Sequence, residues 1–274
     1  MRLSAPRNGP LIYRQALSTR VTHWAWAICL FFLLLSGLQI FMARPDLYIG
    51  RQSGFEFDNS FLSIGAAYVD GSMRGITDLF GWRFDTTGWL GAIWSGDNIE
   101  AKTFPGWMTI PSYRDLATGR IVHFFFAWIL VATLLVWFAA SLFNRHLTRD
   151  IVPGASDLGG LGKDFADHAR LQLHHRRRYG PLQKLSYFGV LFVAFPLMIA
   201  TGLTMSPGFN AFAPWTLDLF GGRQTARTIH FLTMLALVLF FVVHIAMVVL
   251  AGPFNELRSM ISGWMRIEPE ETDR

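Results

Sequence analysis

Four histidines of this sequence sit inside long stretches that carry no Asp, Glu, Lys or Arg. They are His23, His123, His230 and His244, half of the eight in the chain. An ionisable side chain at such a place is costly in an apolar medium and marks function by default. His230 and His244 are fourteen residues apart. An α-helix rises about 21 Å over that interval and turns the two residues to within about 40° of one face. If four apolar helices stack antiparallel in chain order, His23 and His244 share one level and His123 and His230 share the other. Two neutral imidazoles facing each other across a helix bundle make a bis-axial site for haem iron. A single intramembrane histidine can equally serve as an interhelical hydrogen bond or a relay residue. Four of them in two depth pairs favour the shared role. Zinc fits less well, because neither pair has Cys, Asp or Glu near it to complete a tetrahedral set. The lone cysteine, Cys29, excludes both an intramolecular disulfide and the CxxCH attachment of covalent haem. It reads as a small apolar filler.

Three arginines repeat one spacing: Arg20-x-x-His23, Arg120-x-x-His123 and Arg227-x-x-His230. Residues three apart share a helix face, so each Arg lies one turn nearer the surface than its histidine. There it could pair with a haem propionate by charge-assisted hydrogen bonds. The plainer account is an interfacial arginine that snorkels to water. An internal repeat adds to the pattern. Thr118-Gly-Arg-Ile-Val-His-Phe124 echoes Thr225-Ala-Arg-Thr-Ile-His-Phe231, and Ser36-Gly37-Leu38 echoes Thr201-Gly202-Leu203. Gly37 and Gly202 would allow close approach of a ring or, equally, of a helix.

The elements that must position these residues follow from the charge-free windows Val21–Ala43, Ile121–Asn144, Leu185–Leu217 (the span ending near Pro207) and Thr228–Asn255. A bilayer core of about 30 Å needs about 20 apolar helical residues. Strict period-2 alternation is absent, which argues against a membrane barrel. The expected fold is an all-α integral membrane protein, a four-transmembrane-helix bundle binding two b haems, with a long periplasmic loop between helices 1 and 2. The chain has 274 residues, 52% hydrophobic, 15% aromatic and 16% charged. Its mean hydropathy is +0.33. This excludes a disordered chain, a disulfide-stapled domain and an ordinary nucleic-acid binder. Pro196 should kink the third helix, which carries no histidine and closes the bundle. The first apolar stretch is longer than a typical signal-peptide core and lacks a clean cleavage site, so it reads as an anchor.

The net charge of +5 is unevenly placed. Arg2, Arg7, Arg14 and Arg20 precede the first window, eight basic residues fill 145–184, and Arg258, Arg266 and Arg274 follow the last. Residues 44–119 hold six basic against nine acidic residues. The positive-inside rule then gives a multi-pass protein of the bacterial inner membrane with both termini cytoplasmic. Its expected segments are a cytoplasmic N-terminus (1–20), helices at 21–43, 120–144, 185–206 and 227–251, periplasmic loops at 44–119 and 207–226, a basic cytoplasmic loop at 145–184 and a cytoplasmic C-terminus (252–274). His168, His174 and His175, beside Arg176–Arg178, read as a solvated basic surface; topology and anionic lipid explain that charge better than nucleic acid.

The four spans and the region after the last resemble the di-haem cytochrome b subunits of nickel–iron hydrogenases, formate dehydrogenases and thiosulfate reductases, a group that includes bacterial cytochrome b561. The fourth helix, with His230 and His244, carries most of the likeness. The resemblance implies haem ligation by His23 with His244 on the cytoplasmic side and by His123 with His230 on the outer side. It implies an electron-transfer subunit rather than a catalyst alone, relaying electrons between a periplasmic oxidoreductase and the quinone pool. The partner implied is of molybdopterin type, or hydrogenase-like. The long 44–119 segment departs from the compact family pattern. With Trp82, Trp89, Trp94 and Trp107 it suits an interface, expected to cover the outer haem and dock the partner, with Pro105–Tyr113 along the membrane surface. Other readings stay open: a stand-alone quinone-linked oxidase of a small substrate such as superoxide, and a haem-free anchor or transporter.

Overall fold

The computed structural model describes residues 9–54, 58–172 and 178–268. His174, His175, Arg176 and Arg177, and the terminal Arg2, Arg7 and Arg274, lie outside the described residues. In chain order the elements are β1 (Leu11–Tyr13), α1 (Leu17–Phe41), β2 (Asp46–Tyr48), β3 (Ser60–Val69), β4 (Ser72–Leu79), β5 (Trp82–Asp85), β6 (Ala92–Ser95), β7 (Asn98–Ala101), α2 (Leu116–Phe143) and α3 (Ala155–Ala169). Then come α4 (Pro181–Gly189), α5 (Phe195–Met205), α6 (Pro207–Phe212), α7 (Trp215–Leu219), α8 (Arg223–Ala251), α9 (Pro253–Ser262) and β8 (Trp264–Arg266).

Four helical stretches are long and apolar enough to cross a bilayer: Leu17–Phe41, Leu116–Phe143, Pro181–Met205 and Arg223–Ala251. Each opens three or four residues ahead of the charged residue that bounded its apolar window, namely Arg20, Arg120, Lys184 and Arg227. A helix need not stop at the first charge. Its backbone stays hydrogen-bonded through the interface while the arginine reaches outward. The third span is not uniform. A π-helical turn, Val190–Ala194, joins α4 to α5 just before Pro196. Proline lacks the N–H and crowds the carbonyl four residues back, and a widened turn relieves that conflict. Buried hydroxyls along the spans donate to carbonyls of their own helix, as in Thr22 to Ser18, Thr204 to Ala200 and Thr233 to Ile229, each at 2.8 Å. That satisfies a polar group where no water is available.

By its internal contacts the chain forms two compact units, and the long helices supply residues to both. The first comprises Met1–Trp26, Ala132–Pro196 and Leu235–Arg274. Its core gathers Trp137, Leu147 and Ile151, with Trp26, Tyr179, Tyr187, Leu191 and Phe192 packed around them. Trp26 meets Trp137 edge-on at 5.7 Å and donates its indole N–H to Thr133 Oγ1 at 3.1 Å. Lys184 binds Asp157 at 2.9 Å, and Asp164 accepts the Leu182 N–H at 3.0 Å, which ties α3 to the start of α4. β1 and β8 pair antiparallel, with Leu11 opposite Arg266 and Tyr13 opposite Trp264.

The second unit comprises Ala27–Val131 and Leu197–Met234. Here the expectation of an all-α chain needs correcting. The protein is mostly helical, but residues 46–101 fold largely as strands. β2–β3–β4–β5 form an antiparallel sheet, and β6–β7 a separate hairpin. Two-residue turns drive the sheet. Asp70-Gly71 joins β3 to β4 and Phe80-Gly81 joins β4 to β5, all four residues at positive φ. That geometry matches strand twist and suits Asp-Gly. A Cβ on Gly75 would lie 2.1 Å from the Leu90 carbonyl oxygen, so only glycine lets the 86–92 turn lie on the sheet. Within this unit Leu38, Phe41 and Met42 of α1 form one apolar cluster with Leu47, Ile64 and Phe104. Pro105–Tyr113 contains a single 3-10 turn, Gly106–Met108.

Candidate functional site

In the second unit, His123 on α2 and His230 on α8 face each other with ring centroids 6.4 Å apart and planes 57° apart. In the first unit, His23 on α1 and His244 on α8 do the same at 6.3 Å and 56°. A metal–imidazole bond is about 2 Å long, so two imidazoles sharing one ion from opposite sides have centroids about 6 Å apart. Each separation is the one that two imidazoles would have if both held the same iron. Among the described residues no group of three or more His, Cys, Asp or Glu side chains converges. Each pair would supply two nitrogen ligands to an iron otherwise held by a macrocycle, so these residues would fit haem.

The His123–His230 pair is held from behind. Ser36 Oγ lies 3.1 Å from His123 Nδ1, and Thr201 Oγ1 lies 3.0 Å from His230 Nδ1. A Cβ on Gly37 would stand 3.3 Å from His123 Cε1, and one on Gly202 would stand 3.4 Å from His230 Cε1. Both glycines are thus sites of close ring approach, in two-fold correspondence. Phe32 stacks on Phe126 at 4.2 Å and Phe41 on Phe231 at 4.6 Å, adding flat apolar walls to this unit.

The His23–His244 pair has aromatic neighbours instead. Trp24 meets His23 edge-on at 5.4 Å, and Phe240 stacks on His244 at 5.8 Å. Among the described residues no hydroxyl reaches His23 Nδ1, which is buried without a hydrogen-bond partner, as are Thr19 Oγ1 and Arg20 Nε on the same stretch of α1. Three buried polar atoms within five residues are thus unpaired among the described residues, and each could hydrogen-bond a polar group of a cofactor.

The three arginines have separate surroundings. Arg227 donates to the carbonyls of Asp46 (2.8 Å) and Arg44, anchoring the chain at β2. Arg20 donates to the Ile261 carbonyl of α9. Arg120 lies over the Phe124 ring at 5.8 Å. Five N–H bonds per guanidinium leave donors over in each case. Cys29 is buried, as a filler would be.

Sequence reasoning missed the hydroxyls of Ser36 and Thr201, although the Ser36-Gly37 and Thr201-Gly202 echo was their signal. It also missed His146, which is buried and pairs with Asp150 at 2.8 Å. Burial would raise the Asp150 carboxyl, but hydrogen bonds from His146 and Arg149 outweigh it and hold the group at about 2. The His-x-x-x-Asp spacing was the available clue. His168 is partly shielded, and its Nδ1 lies 2.7 Å from the Asp164 carbonyl oxygen.

The family model for prokaryotic cytochrome b561 matches residues 14–263, and the chain belongs to that family. It is a multi-pass membrane protein. Among curated proteins it is similar to YedZ1 of Azospira oryzae, described as a candidate protein-methionine-sulfoxide reductase subunit. The two are 25% identical over 249 residues, covering 89% of this chain and 93% of the relative.

Proposed function

We propose that the protein is a membrane cytochrome b subunit that carries electrons through two b haems, one held by His23 and His244 and the other by His123 and His230. The two histidine pairs, 6.3 and 6.4 Å between ring centroids, carry this reading. Each haem would supply a one-electron ferric–ferrous couple. The chain's own residues place the two ligands opposite one another, hold the outer rings through Ser36 and Thr201, and exclude water with Phe32, Phe126, Trp24 and Phe240. The orphaned Arg20 Nε and Thr19 Oγ1 favour a propionate beside His23. Arg120 and Arg227 are assigned the same task beside the other pair.

The excess of basic residues at the termini and in 145–184 supports a cytoplasmic side for those parts and a periplasmic side for residues 44–119. Electrons then pass between a membrane quinone and a periplasmic oxidoreductase. A partner of molybdopterin type that acts on a sulfur compound agrees with the described role of the Azospira relative. Trp82, Trp89, Trp94 and Trp107 are 59–74% exposed, which supports a docking surface on the folded 44–119 segment. The test is quinol addition to the purified full chain. A b-type α band that appears on adding quinol, without other reductant, supports the relay. An α band produced by dithionite but not by any quinol contradicts the quinone step.

A further inference from the structure

The hydroxyls behind the His123–His230 pair do more than fill space. Ser36 Oγ carries one proton, and it is 2.5 Å from the Phe32 carbonyl oxygen, its own helix's acceptor. Having donated there, the oxygen can only accept from His123 Nδ1 at 3.1 Å. The Leu33 backbone carbonyl, a second partner of His123, can also only accept. Both partners demand a proton on Nδ1, which leaves the Nε2 lone pair free. Thr201 repeats the device: it donates to the Leu197 carbonyl at 2.6 Å and accepts from His230 Nδ1 at 3.0 Å, with the Met198 carbonyl as second acceptor. Ser36 and Thr201 are both fully buried, so no water competes for these bonds. Gly37 and Gly202, the next residue in each case, let the ring approach the hydroxyl.

We propose that Ser36 and Thr201 are positioning residues that lower the reduction potential of the haem held by His123 and His230. The inference rests on the haem reading above. An Nδ1–H that donates a hydrogen bond makes Nε2 a stronger electron donor. A stronger axial donor favours ferric over ferrous iron. The couple is one electron at the iron, and the Nδ1 proton stays on the ring. Among the described residues His23 Nδ1 has no such partner, so the device of two hydroxyl-held rings belongs to the His123–His230 pair.

The experiment is an optical redox titration of the purified full chain. His244→Ala, which keeps only the other haem, assigns the two potentials. Ser36→Ala and Thr201→Val should each raise the potential of the His123–His230 haem and leave the other unmoved. Ser36→Thr and Thr201→Ser, which restore a hydroxyl, should return the wild-type value. If a hydroxyl-free variant sheds the haem, Ser36→Cys decides, since its sulfur is a weaker acceptor: a raised potential supports the proposal and an unmoved one overturns it. Both haems retained with both potentials unchanged also overturns it, and so does a shift confined to the His23–His244 haem. A wild-type protein without haem overturns the haem reading and this inference with it, whereas unmoved potentials in a two-haem protein overturn the inference alone.

Discussion

His123 and His230 each reach a buried hydroxyl through Nδ1, while His23 Nδ1 reaches none among the described residues. The spacing within the two pairs is nearly the same, 6.4 against 6.3 Å. Their support is not. One pair leans on Ser36-Gly37 and Thr201-Gly202, a repeated motif that orients each ring and lets it come close. The other leans on Trp24 and Phe240 and leaves polar atoms of Thr19, Arg20 and His23 without partners. A ligand pair can thus be fixed by hydrogen bonds from behind or by aromatic packing with polar capacity held in reserve. The first should be the stiffer, because its ring orientation and tautomer are set before any cofactor arrives.

Breaking either pair gives the largest expected effect. His230→Ala and His244→Ala should each halve the haem content, and the haems lost should differ in potential; a variant that keeps both haems sinks its assignment. Next comes Gly37→Leu. Its side chain must enter space within reach of His123, so the haem of that pair should be lost while the other stays, as read by haem quantification. Gly202→Ala asks for a shift of a few tenths of an ångström and should only weaken retention, at about 1 kcal/mol.

The arginines sharpen the comparison at smaller scale. Arg227→Gln removes donors to the Arg44 and Asp46 carbonyls, at about 1.5–3 kcal/mol for each bond to a charged group. Its Tm should fall, and an unchanged potential of the His123–His230 haem would argue against a propionate role. Arg20→Gln should act on the His23–His244 haem alone. The smallest effect is expected at Asp150, remote in role from both pairs. Its folded carboxyl is held near 2, below an unfolded value of about 3.9. Its stabilisation is therefore complete above about pH 4 and lost as pH falls towards 2. Asp150→Asn should flatten thermal stability across that acid range and leave both haem spectra intact; an altered spectrum would give the His146–Asp150 pair a part in the site.

The membrane helices were legible because length and charge-free windows depend on the bilayer, not on tertiary detail. Depth along those helices alone pairs His23 with His244 and His123 with His230. The roles of Ser36 and Thr201 were hidden, since a helical hydroxyl ordinarily serves its own i−4 carbonyl and only packing shows what its lone pairs accept. The sheet of residues 46–85 was hidden too. Its glycines and aromatics read as loop composition, although Asp70-Gly71 is a hairpin signal. That Arg227 would hold β2 through two backbone carbonyls has no local sequence signature, because its partners lie about 180 residues away.

The most direct test of the central claim is haem content per chain from the reduced-minus-oxidised spectrum of the purified full chain, set beside His23→Ala and His123→Ala. The account predicts two b haems in the wild type and one in each variant. A wild type with one haem or none, or a variant that retains two, would contradict it.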